Sequence, residues 1–261
     1  MKQKLILLIT LISMSNMFSF NYIYAQSSAG ETADVEMRNL VDVPTAGLLK
    51  KGAFGFDIDF FQDGGMTFSL SAGALDRLNF GVSFGGTGFI GYGKVESQKN
   101  PGVMLKFRLF DETQASPAIA LGFNSQGKET YIDSLERFTI KSSGVYLAAS
   151  KNFSFMGNLS WHGGVNMSLE KDDGDKDLNF FAGIEKSIGK DISLVADYDF
   201  AFNDNLKKVG KGRGYLNTGL HWSFGNGFLI GFNLKNVVKN NSTKEITIGN
   251  RTLHIEYVRT L

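Results

Sequence analysis

Twelve ionisable residues fall inside segments of the chain in which apolar and polar residues alternate. They are Asp57, Asp59, Lys106, Arg108, His162, Glu185, Asp197, Asp199, His221, Lys235, His254 and Glu256. Successive side chains of a β-strand point to opposite faces, so we expect these twelve to share the polar face, opposite the neighbouring aromatic residues. Groups of this kind could catalyse a reaction, bind a metal or select ions.

A serine and a histidine have a spacing that could support catalysis. Ser160 and His162 are two residues apart and therefore lie on the same face of one predicted strand. A lipid-cleaving enzyme would need both residues accessible to lipid. In the alternating pattern, however, both fall on the charged face of the strand, which we expect to point inward. The chain contains no phosphate-binding loop, no zinc-ligand spacing and no G-x-S-x-G motif. The sequence therefore predicts no enzyme activity, no catalytic residue and no cofactor.

The three histidines of the polar face could bind a metal as neutral imidazoles. His162, His221 and His254 belong to predicted strands that are not all neighbours. We therefore predict no metal site and interpret the histidines as polar groups of an interior wall.

Acidic residues are unevenly distributed on the polar face. Glu185, Asp197 and Asp199 lie on two adjacent predicted strands, and no base lies beside them on that face. Like charges repel at close range, so these acids need water, a cation or a base from across the interior. We expect the acidic strip to favour cations. Lys235, by contrast, neighbours His254 and Glu256 on the following predicted strand and could pair with them there.

The alternation that positions these residues begins near residue 53. Predicted strands span 53–61, 65–74, 78–86, 102–110, 117–125, 143–151, 157–169, 178–187, 191–202, 213–224, 227–236 and 251–261. After the first short turn, short and long connections alternate along the chain, as in barrels with short periplasmic turns and longer external loops. The predicted fold class is all-β, a transmembrane antiparallel up-and-down β-barrel of about 12 strands.

A water-soluble barrel with a dry interior is the alternative. It would have to bury the charged face, at a cost of several kcal/mol per isolated ion, or expose the aromatic face to water. Phe is abundant at 23 residues, yet mean hydropathy is only −0.08, as expected for alternating strands rather than spanning helices. A formal net charge of +1 gives no electrostatic reason to expect nucleic acid as a partner.

The N-terminus predicts export. Lys2 and Lys4 precede an apolar run, and Ala25 is a small residue suited to cleavage, so residues 1–25 are predicted to be a cleaved signal peptide. A single membrane-spanning helix is the weaker alternative, because Ser13 and Asn16 interrupt the apolar run. We expect residues 26–50 to form an irregular periplasmic segment at or in the mouth of the barrel, and residues 51–261 to form the outer-membrane barrel.

Four stretches resemble the YjbH-type family of outer-membrane proteins. They are VDVPTAGLLKKGAFGFDIDFF (41–61), PGVMLKFRLFDETQASPAIALGFNSQG (101–127), SSGVYLAASKNF (142–153) and GKGRGYLNTGLHWSFGNGF (210–228). The second is similar to a Lys-Phe-Arg-Leu strand, an acidic turn and a Pro-Ala-led strand of that family. The resemblance, to short single-barrel members, implies an outer-membrane barrel and, for some members, a link to exopolysaccharide production or export.

Three functions remain open from the sequence. The protein is expected to be a non-enzymatic envelope component of the outer membrane of a diderm bacterium, reached by Sec-type export. It could take part in exopolysaccharide export, form a general small-solute pore, or act as a structural or adhesive barrel through its external loops. The expected partners are outer-membrane lipid and a polysaccharide or small solute, and the barrel is expected to be a monomer.

Overall fold

A computed structural model describes residues 35–92, 94–241 and 250–260. The predicted signal peptide and its cleavage site lie outside this described part, as do residues 26–34 of the segment that follows. Among the described residues, no helix has the length and hydropathy needed to cross a membrane. Two short 3₁₀ turns are present, Asp133–Leu135 and Phe202–Asp204.

Strands account for most of the described chain. They are β1 (Ala53–Phe61), β2 (Gly65–Leu75), β3 (Leu78–Thr87), β4 (Glu96–Ser97), β5 (Gly102–Phe110), β6 (Ala118–Asn124), β7 (Lys128–Ile132), β8 (Arg137–Ile140), β9 (Gly144–Ser154), β10 (Asn158–Met167), β11 (Asn179–Ile188), β12 (Ile192–Asp199), β13 (Tyr215–Gly225), β14 (Phe228–Lys235) and β15 (Asn250–Thr260). Most of the longer strands agree with the predicted spans to within a few residues, because period-2 alternation marks a half-buried strand directly.

Twelve of these strands form a closed ring. Each pairs antiparallel with its neighbours in the order β1, β2, β3, β5, β6, β9, β10, β11, β12, β13, β14 and β15. The first and last strands close the ring through a register that runs from Ala53 opposite Thr260 to Phe60 opposite Leu253. The predicted fold, a closed antiparallel barrel of about 12 strands, is confirmed. The extra strands β4, β7 and β8 belong to loops and were not predicted.

The two rims of the barrel differ in the length of their connections. One rim, here called the short-turn rim, carries residues 76–77, 111–117, 155–157, 189–191 and 226–227 between strands. The other, the long-loop rim, carries the longer connections and the short turn 62–64. The described parts of those longer connections are residues 88–92, 94–101, 125–143, 168–178, 200–214 and 236–241. This is the alternation predicted from the sequence.

The outer face of the barrel is apolar and exposed. Its large side chains include Phe56, Leu70, Phe80, Val103, Leu105, Phe107, Leu121, Leu147, Trp161, Phe180, Leu194, Leu220, Trp222 and Phe232. Trp161, for example, is 56% exposed and Phe80 is 50% exposed. Apolar patches on monomeric soluble proteins rarely exceed a few hundred Å², so a continuous apolar surface around a barrel is suited to lipid.

Residues 35–50 lie inside the barrel, and we call them the luminal segment. The chain folds back on itself there: the backbone N–H of Leu40 donates to the Val43 carbonyl at 3.0 Å, and that of Thr45 to the Arg38 carbonyl at 3.1 Å. This hairpin leads into β1 at the short-turn rim. The sequence placed residues 26–50 in the periplasm, at or in the mouth. That division of the chain stays a prediction. The described part, residues 35–50, lies in the interior, because its backbone and charges find partners on the inward faces of the strands.

Candidate functional site: the filled lumen

Arg38 is the central cation of the luminal segment. Its Nη2 lies 2.7 Å from Asp57 Oδ1 and 3.0 Å from Glu256 Oε1, and its Nη1 donates to Ser71 Oγ at 2.7 Å. An arginine guanidinium is not deprotonated in proteins, and the two carboxylates supply its counter-charges. The guanidinium therefore stays charged inside the barrel.

Asp57 and Glu256 face each other directly across the junction of β1 and β15. Like charges in directly opposed positions destabilise a strand pair, so these two acids need a cation between them. The neighbouring opposed pair is Asp59 and His254, whose Oδ1 and Nδ1 lie 2.9 Å apart. Lys128 adds a more distant cation, 3.9 Å from Asp59.

The bases of β5 hold the backbone of the luminal segment. Lys106 Nζ donates to the carbonyl oxygens of Arg38, Thr45 and Gly47 at 2.9, 3.1 and 3.2 Å. Arg108 Nη2 donates to the Ala46 carbonyl at 2.7 Å, and its guanidinium also pairs with Glu36. These two bases lie two residues apart on one strand and satisfy buried carbonyl groups of the luminal segment. The Arg38 carbonyl also accepts the Thr45 N–H.

Asp197 holds the tip of the hairpin. Its Oδ2 accepts hydrogen bonds from the backbone N–H groups of Val41, Asp42 and Val43 at 2.8, 2.8 and 3.3 Å, and its Oδ1 accepts one from Asn217 at 2.8 Å. The sequence indicated that this acid would need water, a cation or a base. The structure supplies backbone N–H donors instead, which stabilise a carboxylate without a counter-charge.

Lys235 pairs with Asp42 of the luminal segment, Nζ to Oδ1, at 2.8 Å. Lys235 thus binds the luminal segment rather than His254 or Glu256, the partners that the sequence suggested. In the register between β14 and β15, Lys235 lies opposite Asn250, whereas His254 and Glu256 lie opposite Gly231 and Leu229. An adjacent strand was predicted correctly, but antiparallel register cannot be read from strand order alone.

The remaining predicted residues have local polar partners. His162 shares a hydrogen bond of 2.8 Å with Ser150, and His221 one of 3.2 Å with Asn233. Asp199 accepts hydrogen bonds from Asn179 at 2.6 Å and from the Ala201 N–H at 2.8 Å. Glu185 is buried on β11.

Ser160 and His162 do not form a pair. Ser160 donates to Asn152 at 2.5 Å, and His162 is held by Ser150 instead. The structure therefore offers no support for the serine–histidine alternative.

Apolar contacts hold the luminal segment on the side of β9 to β12. Met37, Leu40, Val41 and Val43 form one buried cluster with the inward residues Tyr146, Ala148, Phe181 and Val195. This cluster was not predicted from the sequence, and neither was the role of Glu36, Arg38 and Asp42 as site residues. The available signal was the stretch VEMRNLVDV (35–43), in which apolar and charged residues mix outside any predicted strand.

A polar cavity of about 90 Å³ lies beside the luminal segment, on the side of β1 to β3. Small inward residues, Ser69, Ser71, Gly81 and Ser83, form its wall there, and Arg38, Asp57, Asp59, His254 and Glu256 also line it. A cavity with this many polar partners is suited to water.

The loops of the long-loop rim are joined by a buried ionic network. Arg137 lies 2.7 Å from both Asp173 and Asp204, and Lys141 lies 2.7 Å from Asp173. Burial opposes ionisation of Asp173, but the hydrogen bond from Lys141 leads the interactions that lower its pKa below the usual range. A smaller cavity of about 30 Å³ separates these loops from Asp42 at the tip of the luminal segment.

Together, the ring and its contents define a closed twelve-stranded barrel with an apolar exterior, a polar interior and an internal segment of its own chain. No protein-family model matches this chain, and no curated protein matches it. The YjbH-type resemblance therefore stays a prediction.

Among solved structures, the chain is similar to a KdgM porin, with a TM-score of 0.48 and 10% identity over 78% of this chain and 98% of that one. A KdgM porin in complex with disordered oligogalacturonate also gives 0.48, at 10% identity over 80% and 99% of the two chains. A NanC porin gives 0.42, at 7% identity over 80% and 99%.

Proposed function

We propose that the protein is an outer-membrane pore for small polar solutes and that the luminal segment closes it. The observation that carries this proposal is the polar interior around a segment that joins no strand of the ring. An exposed apolar exterior supports the membrane location, with strands of about the length that crosses a bilayer. The short-turn rim then faces the periplasm.

The interior can remain stable in water when the segment moves. Its inward groups are carboxylates, amines, amides and hydroxyls, and water can replace their present partners. A dry core could not open this way, since exposing apolar surface costs roughly 25 cal/mol per Å². The apolar side chains exposed on release would be those of the cluster around Tyr146 and Phe181 and of two smaller contacts, Ala46 with β6 and Leu49 with Ala53 and Val258.

Removing the luminal segment tests this function. We expect a variant lacking residues 35–50 to show a steady ohmic conductance in planar bilayers, larger than that of the full chain. Heat-modifiable gel migration checks that the variant still forms a barrel. A folded variant that conducts no better than the full chain would overturn the proposal.

A structural barrel is the second candidate, and the apolar cluster favours it. In this account the luminal segment is a permanent core. Its removal would then abolish barrel formation, and heat-modifiable migration would be lost together with any conductance.

Export of exopolysaccharide rests on the YjbH-type resemblance. Deletion of the coding region and measurement of secreted polysaccharide tests it: a loss supports export, and an unchanged yield opposes it. The adhesive role through the external loops would instead appear as lost attachment when the loops are exchanged.

A further inference from the structure

Asp57 of β1 and Glu256 of β15 form a pair of carboxylates that is occupied by Arg38 of the same chain. We infer that Asp57, His254 and Glu256 bind a late first-row transition-metal ion, of the Zn²⁺ or Co²⁺ class, when Arg38 is withdrawn. The inference rests on the proposed movement of the luminal segment, but the test below does not require conductance.

The donor atoms are already close together. One carboxylate oxygen from Asp57, one from Glu256 and one ring nitrogen of His254 all lie within 4.8 Å of one another. Three protein ligands with a free fourth position are usual for an open zinc site. A mixture of one imidazole and two carboxylates favours Zn²⁺ or Co²⁺ over Mg²⁺ or Ca²⁺.

The histidine is oriented as a ligand would be. Its Nδ1 lies 2.9 Å from Asp59, while its Nε2 lies 3.6 Å from Glu256 Oε2. Metal-bound histidines commonly donate their second ring N–H to a carboxylate, which fixes the tautomer and the ring orientation. Asp59 occupies that outer position, so it would position His254 without binding the metal itself.

A cation already occupies these carboxylates. Arg38 Nη2 lies between Asp57 and Glu256, at 2.7 and 3.0 Å. Cross-strand like charges require such a partner, so withdrawal of Arg38 leaves two acids and an imidazole beside a polar cavity. The metal and Arg38 therefore compete, and by linkage the metal favours the displaced state of the luminal segment.

The test measures Zn²⁺ binding to refolded, untagged protein by calorimetry, and Co²⁺ binding by its visible absorption. We expect Arg38→Met to bind one equivalent of Zn²⁺ about tenfold or more tightly than the full wild-type chain. Arg38→Lys keeps a cation in place and is the matched control, with a smaller gain expected. Arg38→Gln serves as a second neutral variant if Arg38→Met does not fold.

Ligand identity is tested in the Arg38→Met background. Adding His254→Gln or Glu256→Gln should weaken binding, and adding Asp59→Asn should weaken it by about 10–100-fold, the usual range for outer partners. His162→Gln, on β10, should leave binding unchanged. Equal affinity in the wild type and the neutral variants, or an equal loss from His162→Gln, would overturn the site. Failure of the pore proposal would appear separately, in the conductance of the chain lacking residues 35–50.

Discussion

The two sides of the lumen hold the luminal segment by different physics. On the side of β9 to β12, apolar side chains pack in a cluster and Asp197 binds the hairpin tip through three N–H groups. On the side of β1, β2 and β15, Arg38 makes an ionic contact beside a polar cavity, and the apolar contact there is the small one of Leu49 with Ala53 and Val258. The apolar side resists water, whereas the ionic side can exchange its partners for water or ions. Opening should therefore begin beside β1.

Loss of the ionic contact made by Arg38 should have the largest effect on how readily the luminal segment leaves the barrel wall. Arg38→Met leaves Asp57 and Glu256 buried and opposed without a cation, and removal of one member of a buried ionic group costs about 3–5 kcal/mol. We expect faster thiol labelling of a cysteine introduced at Ala46 in the luminal segment, measured by mass shift.

Arg77→Met is the matched control for that change. Arg77 pairs with Asp111 at the short-turn rim, where both side chains are about half exposed. Exposed pairs contribute about 0–1 kcal/mol, so labelling at position 46 should not change. Equal acceleration by the two variants would show that the ionic site has no special role.

Weakening the apolar side should have a somewhat smaller effect. Leu40 is buried in the cluster with Tyr146 and Phe181. Truncation of a buried leucine to alanine costs about 2–5 kcal/mol. We expect Leu40→Ala to speed labelling at position 46 less than Arg38→Met does. The reverse order would mean that the apolar side controls release.

Replacing Asp197, the acid that binds the hairpin tip, should loosen the luminal segment less than Leu40→Ala does. Asp197→Asn keeps the shape of the side chain but replaces a charged acceptor of three N–H groups with an amide oxygen. Hydrogen bonds to charged groups contribute about 1.5–3 kcal/mol, roughly twice the neutral value. Hydrogen exchange of the Val41 to Val43 amides should accelerate, and unchanged protection would contradict the assigned role.

The smallest expected effect is on the pH dependence of stability, and it comes from a residue outside the lumen. Burial raises the pKa of Glu170, in a loop of the long-loop rim, to about 7 from an ordinary value of 4.5. Because the folded state then holds a proton that the unfolded state releases, the contribution of Glu170 to stability falls as pH rises from 4.5 to about 7. We expect Glu170→Gln to remove this slope from the melting temperature, and an unchanged slope would contradict the assignment.

Much of the barrel could be predicted from the sequence because alternation is local. Each strand carries its own pattern, as in FGFDIDFF (54–61), and the segregation of short and long connections gives the topology. The hairpin β7–β8 was missed, because four or five residues inside a long loop give too short a pattern.

The contents of the lumen could not be predicted in the same way. Contacts such as Asp42 with Lys235 join residues almost 200 positions apart, and no periodicity encodes them. The inward phase of Asp57, Lys106 and Asp197 showed that these groups need partners, but not that residues 35–50 supply them. Their role as pore-lining groups remains a prediction.

A disulfide between the luminal segment and the wall tests the central claim most directly. Ala46 packs against Ala118 and Ala120 of β6, and the chain has no native cysteine, so Ala46→Cys with Ala120→Cys adds a single defined pair. Single-channel recording before and after reduction in the same bilayer compares the fixed and free states. We predict a closed channel under oxidising conditions and openings after reduction. Openings that persist with the disulfide intact would contradict the account.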